Sequence, residues 1–261
     1  LLATLHAYVF LSGSEEEVLN GKVADEAIRA ICDNDMVAQR PGVAELLDDL
    51  TVRTWSPFML RRLVHNAFRI GTPENADRLL KFAADLAQPE VVRQEALRLL
   101  AIWAEPFPAD QLTGHWRPLE KRDPELIRPI LVAALPGLLK QDGAILTAAL
   151  GLVGTYQLDI PALDEESLRT MVKNAAAPAP ARAAALDLLV RRKPENLGTF
   201  LTQMASDSSD AVALTALAAI ARLSPDAALP ALKAAVDSPN PARAQKIWEI
   251  LAQLPGDSVD D

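Results

Sequence analysis

Apolar residues recur along most of this chain at steps of three and four residues, a spacing that places them on one face of an α-helix. In the segment PEVVRQEALRLL the stripe consists of Val92, Ala96, Leu97, Leu99 and Leu100. Three other segments align with it without gaps, at 178–189, 209–220 and 239–250. Each opens with Pro, Ser, Asp or Asn, which fix φ or cap free N–H groups at a helix start. The pattern predicts an all-α fold.

The helical pattern repeats along the chain, and weaker copies occupy 23–31, 60–70 and 144–153. One small core residue marks each copy, and the set is Ala27, Ala67, Ala96, Ala149, Ala185, Ala216 and, as an imperfect match, Lys246. The intervals are 40, 29, 53, 36, 31 and 30 residues, with a second amphipathic segment between successive marked ones. Because one hairpin buries too little surface to be stable alone, we expect a stack of about six or seven helical hairpins.

The one long interval contains PFPADQLTGHWRPLEKRDP, a stretch rich in proline. This interval exceeds its neighbours by about 20 residues, which predicts an inserted loop at 106–123. Two interpretations are open. The loop is either a strap over the helices, with the large apolar Trp116 packed against Trp103 or the next hairpin, or a docking element for a neighbouring domain, carried by His115, Trp116 and Arg117.

The period, the paired helices and the V-R-x-x-A-L pattern from Val92 to Leu97 resemble HEAT repeats, over nearly the whole chain. The resemblance implies a right-handed α-α superhelix, or solenoid, formed by residues 1–254 as a single domain, with 255–261 as a polar tail or linker. In that family an Asp in the turn precedes an Arg by six residues, and Asp237 with Arg243 matches this spacing. Arg93 and Arg182 match the Arg alone, and Asp207 is followed by Ala213. The family's ladder of such Asp–Arg pairs is thus incomplete in this chain, which leaves armadillo-like or irregular α-α geometry open.

A narrower resemblance rests on the insertion motif, at Thr113, Gly114, Trp116, Arg117 and Pro118. The surrounding run is similar to the HEAT-like region of large multidomain proteins of planctomycetes, verrucomicrobia and their relatives. Those chains often join a sugar-dehydrogenase-like β-propeller to helical repeats and a cytochrome c domain. The resemblance implies an accessory domain, with any oxidoreductase chemistry elsewhere in the parent chain.

The ends of the sequence also suggest a piece of a longer polypeptide. The chain starts in the middle of an apolar helical pattern, LLATLHAYVFL, and ends in the polar PGDSVDD. We expect the apolar start to pack on a preceding domain or to self-associate.

The charge and the motifs narrow the classes of function. A net charge of -9 disfavours nucleic acid and anionic lipid as partners, and with them a HEAT-like DNA glycosylase, which we keep as a third alternative. The one cysteine, Cys32, excludes an intramolecular disulfide and a C-x-x-C-H haem site, and it is predicted to be a buried, inert thiol. We find no nucleotide-binding, zinc-protease or esterase motif, and expect no metal, no cofactor and no catalysis.

No apolar run reaches the ~20 residues of a membrane span, which predicts a soluble protein in the cytoplasm or the periplasm, or a secreted one.

Basic residues concentrate in the predicted second helices, which carry a net charge of +5 against -14 for the remaining chain. In HEAT-like stacks the second helices line the concave face, so that face is a candidate site for a protein or peptide, including an acidic one. The candidate contacts are Arg61, Arg62, His65, Arg69, Arg93, Arg191, Arg192 and Lys193. Alternatively, these side chains pair with carboxylates of neighbouring repeats. The sequence predicts a non-catalytic protein-binding, scaffold or spacer module.

Overall fold

The computed structural model of the chain describes residues 15–34, 41–48, 55–236 and 240–254. These residues form α-helices and two 3₁₀ segments, Glu45–Leu47 and Pro124–Leu126, and none of them belongs to a β-strand. The helices are α1 (Glu15–Cys32), α2 (Pro41–Ala44), α3 (Pro57–Ile70), α4 (Pro73–Ala84), α5 (Glu90–Ala101), α6 (Arg128–Leu138), α7 (Gly143–Thr155), α8 (Glu165–Lys173), α9 (Ala179–Arg192), α10 (Leu197–Met204), α11 (Asp210–Leu223), α12 (Pro225–Val236) and α13 (Pro241–Leu251). The predicted all-α character is confirmed.

Local sequence signals explain where several helices begin. The hydroxyl of Ser56 accepts a hydrogen bond from the backbone N–H of Met59 at 3.3 Å, and Pro57 follows it at the first helical position of α3. Thr72 caps α4 in the same way, again with a proline next in the chain. The carboxylate of Asp164 accepts from the N–H of Ser167 at 2.8 Å at the start of α8. These caps satisfy N–H groups that have no partner inside the helix.

The helices form two compact units. The first contains the described residues up to Gln141 together with Thr155–Leu158, and in it α3 packs against α1, α4 and α5, while α4 packs against α6. The second contains Asp142–Gly154 and the described residues from Asp159 onward, and in it α9 packs against α8 and α11, while α11 packs against α10, α12 and α13. In the second unit α9 therefore packs on its hairpin partner α8 and on α11, the second helix of the next hairpin. In the first unit α3 packs in the same way on α2 and on α5.

Most of the small residues that mark the repeats lie in the buried core, whereas Ala27 is half-buried. Five of these alanines have no exposed surface, and they are Ala67, Ala96, Ala149, Ala185 and Ala216. Lys246, the imperfect match, is exposed, while its neighbour Ile247 is fully buried. A lysine is tolerated at this position because its charged end remains in water.

Three of the sequence predictions concern residues outside the described ranges: the apolar start within 1–14, Asp237 of the proposed ladder, and the tail 255–261. In the part of the chain that the structure describes, no helix is both long and apolar enough to cross a membrane.

Candidate functional site

Residues 106–123, which the sequence predicts to be an inserted loop, contain no helix in the first unit, and backbone hydrogen bonds cross the segment. Ala109 and Trp116 form an isolated antiparallel bridge. The N–H of Asp110 donates to the carbonyl of His115 at 2.8 Å, and the N–H of Gly114 donates back to the carbonyl of Asp110 at 2.7 Å. Gly114 has a φ of 73°, a conformation that glycine adopts without strain. Residues 110–114 therefore form a turn.

A buried ion pair fixes the base of the loop. The carboxylate of Asp110 accepts from the N–H groups of Leu112 at 2.9 Å and Thr113 at 3.0 Å, and from Nη1 of Arg117 at 2.9 Å. Arg69 places its Nη1 3.6 Å from the same carboxylate and donates to the carbonyl of Arg117 at 3.3 Å. Burial alone would raise the pKa of Asp110, but these N–H groups and cations hold it below its usual range.

Arg122 ties the far end of the loop to the helices. Its backbone N–H donates to the carbonyl of Ala104 at 2.9 Å, and its Nη2 donates to the carbonyl of Arg69 at 3.3 Å. Its guanidinium lies 4.5 Å from the ring centroid of Trp103 and 4.9 Å from that of Phe68. Burial, with a smaller contribution from Arg69, lowers the pKa of Arg122 to about 10. The two aromatic faces and the carbonyl of Arg69 are the groups that stabilise the cation.

Gly71, which ends α3, leaves the space that Arg122 occupies. Its φ is 71°, and a Cβ atom there would lie 2.6 Å from Nη2 of Arg122. Any other residue would therefore be strained in its backbone and would displace the guanidinium.

The aromatic side chains of the loop face solvent, and this corrects one prediction. Trp116 is 73% exposed and Phe107 is 61% exposed, whereas Trp103 is 1% exposed and meets Phe68 edge to face. Trp116 thus does not pack against Trp103, because Arg122 and Phe68 already cover that ring. Successive residues of an extended segment point to opposite sides, so the inward side chain of Arg117 leaves Trp116 facing outward.

Of the three loop residues predicted as a docking element, two are available to a partner. His115 and Trp116 are exposed, whereas Arg117 is 5% exposed and holds the loop through Asp110.

Four of the eight candidate basic contacts, all in the first unit, are poorly accessible. Arg62, His65 and Arg93 are buried, and the side chain of Arg69 is 11% exposed. Arg62 contacts Asp33 at 3.3 Å and lies 3.9 Å from the ring centroid of Phe58. The expectation of a groove lined by these side chains is corrected accordingly, because their charges are used inside the fold.

His65 belongs to a polar cluster around Glu95. Its Nε2 lies 2.7 Å from Oε1 of Glu95. The same oxygen accepts from Nη2 of Arg98 at 2.9 Å and lies 3.6 Å from Nη2 of Arg61. Burial would raise the pKa of Glu95, but the hydrogen bonds from His65 and Arg98 hold it well below its usual range. Arg98 also donates to Gln111, which connects this cluster to the loop.

Arg93 and Arg182 make the same contact in different units. Nε of Arg93 donates to the carbonyl of Ala83 near the end of α4 at 2.8 Å, and Nε of Arg182 donates to the carbonyl of Val172 near the end of α8 at 2.7 Å. Each guanidinium also donates to the turn of the following hairpin, Arg93 to Gln141 and Arg182 to Asp207. Both arginines therefore join consecutive hairpins.

The remaining basic candidates lie at the end of α9 in the second unit. Arg191, Arg192 and Lys193 are exposed, and Arg192 donates to the carbonyl of Leu163. Arg222, which is not among the eight candidate contacts, is exposed at the corresponding end of α11. Partial desolvation raises the pKa of Asp187, although Arg222 and Arg191 attract its negative charge.

Cys32 is buried, as predicted, and its environment makes it a poor nucleophile. Burial, with a smaller contribution from Asp33, raises the pKa of its thiol to about 12. Among the residues that the structure describes, no group of three or more His, Cys, Asp and Glu side chains could hold a metal ion.

Comparison with models of known protein families finds no match for this chain, and comparison with curated proteins finds none either.

Proposed function

We propose that this chain is a non-catalytic, HEAT-like repeat module that acts as a scaffold and binds a protein partner through the loop 106–123. The observation that supports it is the 73% exposure of Trp116 on a loop held by a buried ion pair. Tryptophan is among the residues that contribute most to binding energy at protein interfaces, which makes the exposed indole the candidate anchor for a partner.

The way the loop is held would favour binding. A flexible loop loses conformational entropy when a partner orders it, and that loss weakens association. Here the pair of Asp110 with Arg117 and the stacked Arg122 already fix the backbone on both sides of Trp116. Covering the indole would then contribute about 2–3 kcal/mol at little ordering cost.

The repeat architecture remains part of the proposal. The period in the sequence and the equivalent contacts of Arg93 and Arg182 support stacked HEAT-like hairpins. The burial of Arg62, His65 and Arg93 moves the proposed contact from a basic helical face to the loop.

A photo-crosslinking amino acid placed at position 116 tests this proposal in the native host. We expect a discrete adduct with a protein partner, or an intramolecular one if the chain is an accessory domain of a larger oxidoreductase and docks on its neighbour. Leu86 is the matched control position, because it is 75% exposed in another turn of the first unit. If positions 116 and 86 give the same adducts, or if neither gives any, the proposal is wrong.

A further inference from the structure

Two exposed arginines in the second unit occupy the same position of consecutive repeats. Arg191 and Arg222 are 31 residues apart, as are the repeat markers Ala185 and Ala216. Arg191 lies in the last turn of α9 and Arg222 in the last turn of α11, and these two helices pack against each other. The two cations therefore lie next to each other on one face.

Neither arginine is paired within the described part of the second unit. No carboxylate there lies within 4.0 Å of either guanidinium, in contrast to Arg182 with its partner Asp207. Asp187 is the acidic side chain near both, and it makes no ion pair with either of them. Nε of Arg191 lies 3.9 Å from the position that a Cβ on Gly154 would take, so the absence of a side chain there leaves the arginine uncrowded.

The separation of the two helices sets the spacing of any ligand that contacts both arginines. Packed helix axes lie about 8–10 Å apart. A segment in the polyproline II conformation advances about 3.1 Å per residue with three residues per turn, so three residues cover this distance. Acidic side chains at positions i and i+3 of such a segment lie on the same side and would face the two guanidinium groups, each in reach of a charge-assisted hydrogen bond.

We propose that Arg191 and Arg222 bind an acidic segment of a partner protein in the polyproline II conformation, in which two carboxylates are three residues apart. Lys193, exposed just after α9, adds positive charge at the same end of the helix. Asp187 limits the affinity through like-charge repulsion. This site goes beyond the contact proposed for the loop, since it lies in the other unit and uses charge where the loop uses an aromatic side chain.

A binding assay with synthetic peptides tests the site on the full chain. The probes are two proline-rich peptides of equal composition, one with its two glutamates three residues apart and one with them adjacent. We expect the first to bind about fivefold more tightly, and the double change Arg191→Glu with Arg222→Glu to lower its affinity at least about tenfold. Asp187→Asn is expected to raise the affinity about twofold to threefold.

Lys233→Glu is the control for net charge, because Lys233 is an exposed cation on α12 in the same unit. It should leave peptide affinity unchanged, and circular dichroism should show all variants folded. Equal binding of the two peptides, or equal losses in the Lys233 and arginine variants, would overturn the proposal. The Trp116→Ser variant should bind the peptide as wild type does, so failure of the loop proposal and failure of this one give different results.

Discussion

The buried guanidinium of Arg182 joins two consecutive hairpins by donating to the carboxylate of Asp207 while its Nε donates to the end of α8. Burial would raise the pKa of Asp207, but the hydrogen bonds from Arg182 and from the backbone N–H of Ser209, with the charge of Arg182, hold it below its usual range. Arg93 makes the corresponding contacts in the first unit with Ala83 and Gln141. One residue type at one repeat position thus satisfies the free carbonyl of a helix end and fixes the next turn.

Arg182→Ala should destabilise the protein strongly, because the carboxylate of Asp207 loses its buried cation and the carbonyl of Val172 loses its donor. We expect a loss of about 3 kcal/mol in the free energy of unfolding, measured by urea denaturation. Arg243→Ala is the matched control at the same repeat position. The side chain of Arg243 is 28% exposed and pairs with Asp210 at 2.7 Å, so its loss should cost less than about 1 kcal/mol. Equal losses of unfolding free energy in the two variants would show that burial of the guanidinium does not determine its contribution to stability.

Gly71→Ala should destabilise the protein more than Gly114→Ala, although the two glycines have nearly the same φ, 71° and 73°. Both substitutions strain the backbone by about 1 kcal/mol, but only at Gly71 would the new Cβ meet a guanidinium, that of Arg122. We expect Gly71→Ala to cost about 2 kcal/mol more in thermal or urea unfolding. In an Arg122→Ala background this excess should disappear. An excess that persists there would contradict the contact.

Much of the fold follows from periodicity in the sequence, since the spacing of apolar residues and the Ser-Pro and Thr-Pro starts determine where helices form. The turn from Asp110 to Gly114 was predictable for the same local reason. The partners of the arginines were not, because Arg93 and Arg182 bind carbonyls and turn residues whose proximity only packing creates. The recurrence of an arginine beside buried Val92 and Ala181 was the available signal for a structural role. Which of Trp103 and Trp116 is buried depends on the path of the loop.

Asp110→Asn should lower the free energy of unfolding by an amount that depends on pH. The folded-state pKa of Asp110 lies below its usual value, so its stabilising effect is complete above the unfolded value of about 4 and is lost as the pH falls below it. At pH 7 we expect the variant to lose about 2 kcal/mol in unfolding free energy, with the difference from wild type shrinking as the pH falls below about 4. Glu105→Gln, which removes an exposed pair with Lys121, should show no measurable change. A difference that stays constant with pH would exclude the ion pair as its cause.

Cys32 should react with thiol reagents only when the protein opens. Its folded-state pKa of about 12 is raised above the unfolded value of about 8.5. The pH dependence of its contribution to stability is therefore opposite to that of Asp110. The contribution is present below about pH 8.5 and is lost as the pH rises beyond it. We expect labelling at pH 8 at least about 100-fold slower than in urea-unfolded chain. Rapid labelling of the folded protein would place the thiol at the surface.

Trp116→Ser gives the most direct test of partner binding through the loop. Because the indole is 73% exposed, the substitution should leave the thermal unfolding midpoint unchanged. The affinity for the partner identified by crosslinking at position 116 should fall at least about 30-fold, measured by titration of the purified proteins. Leu86→Ser should change neither quantity. Full affinity in the Trp116→Ser variant would contradict recognition through the loop.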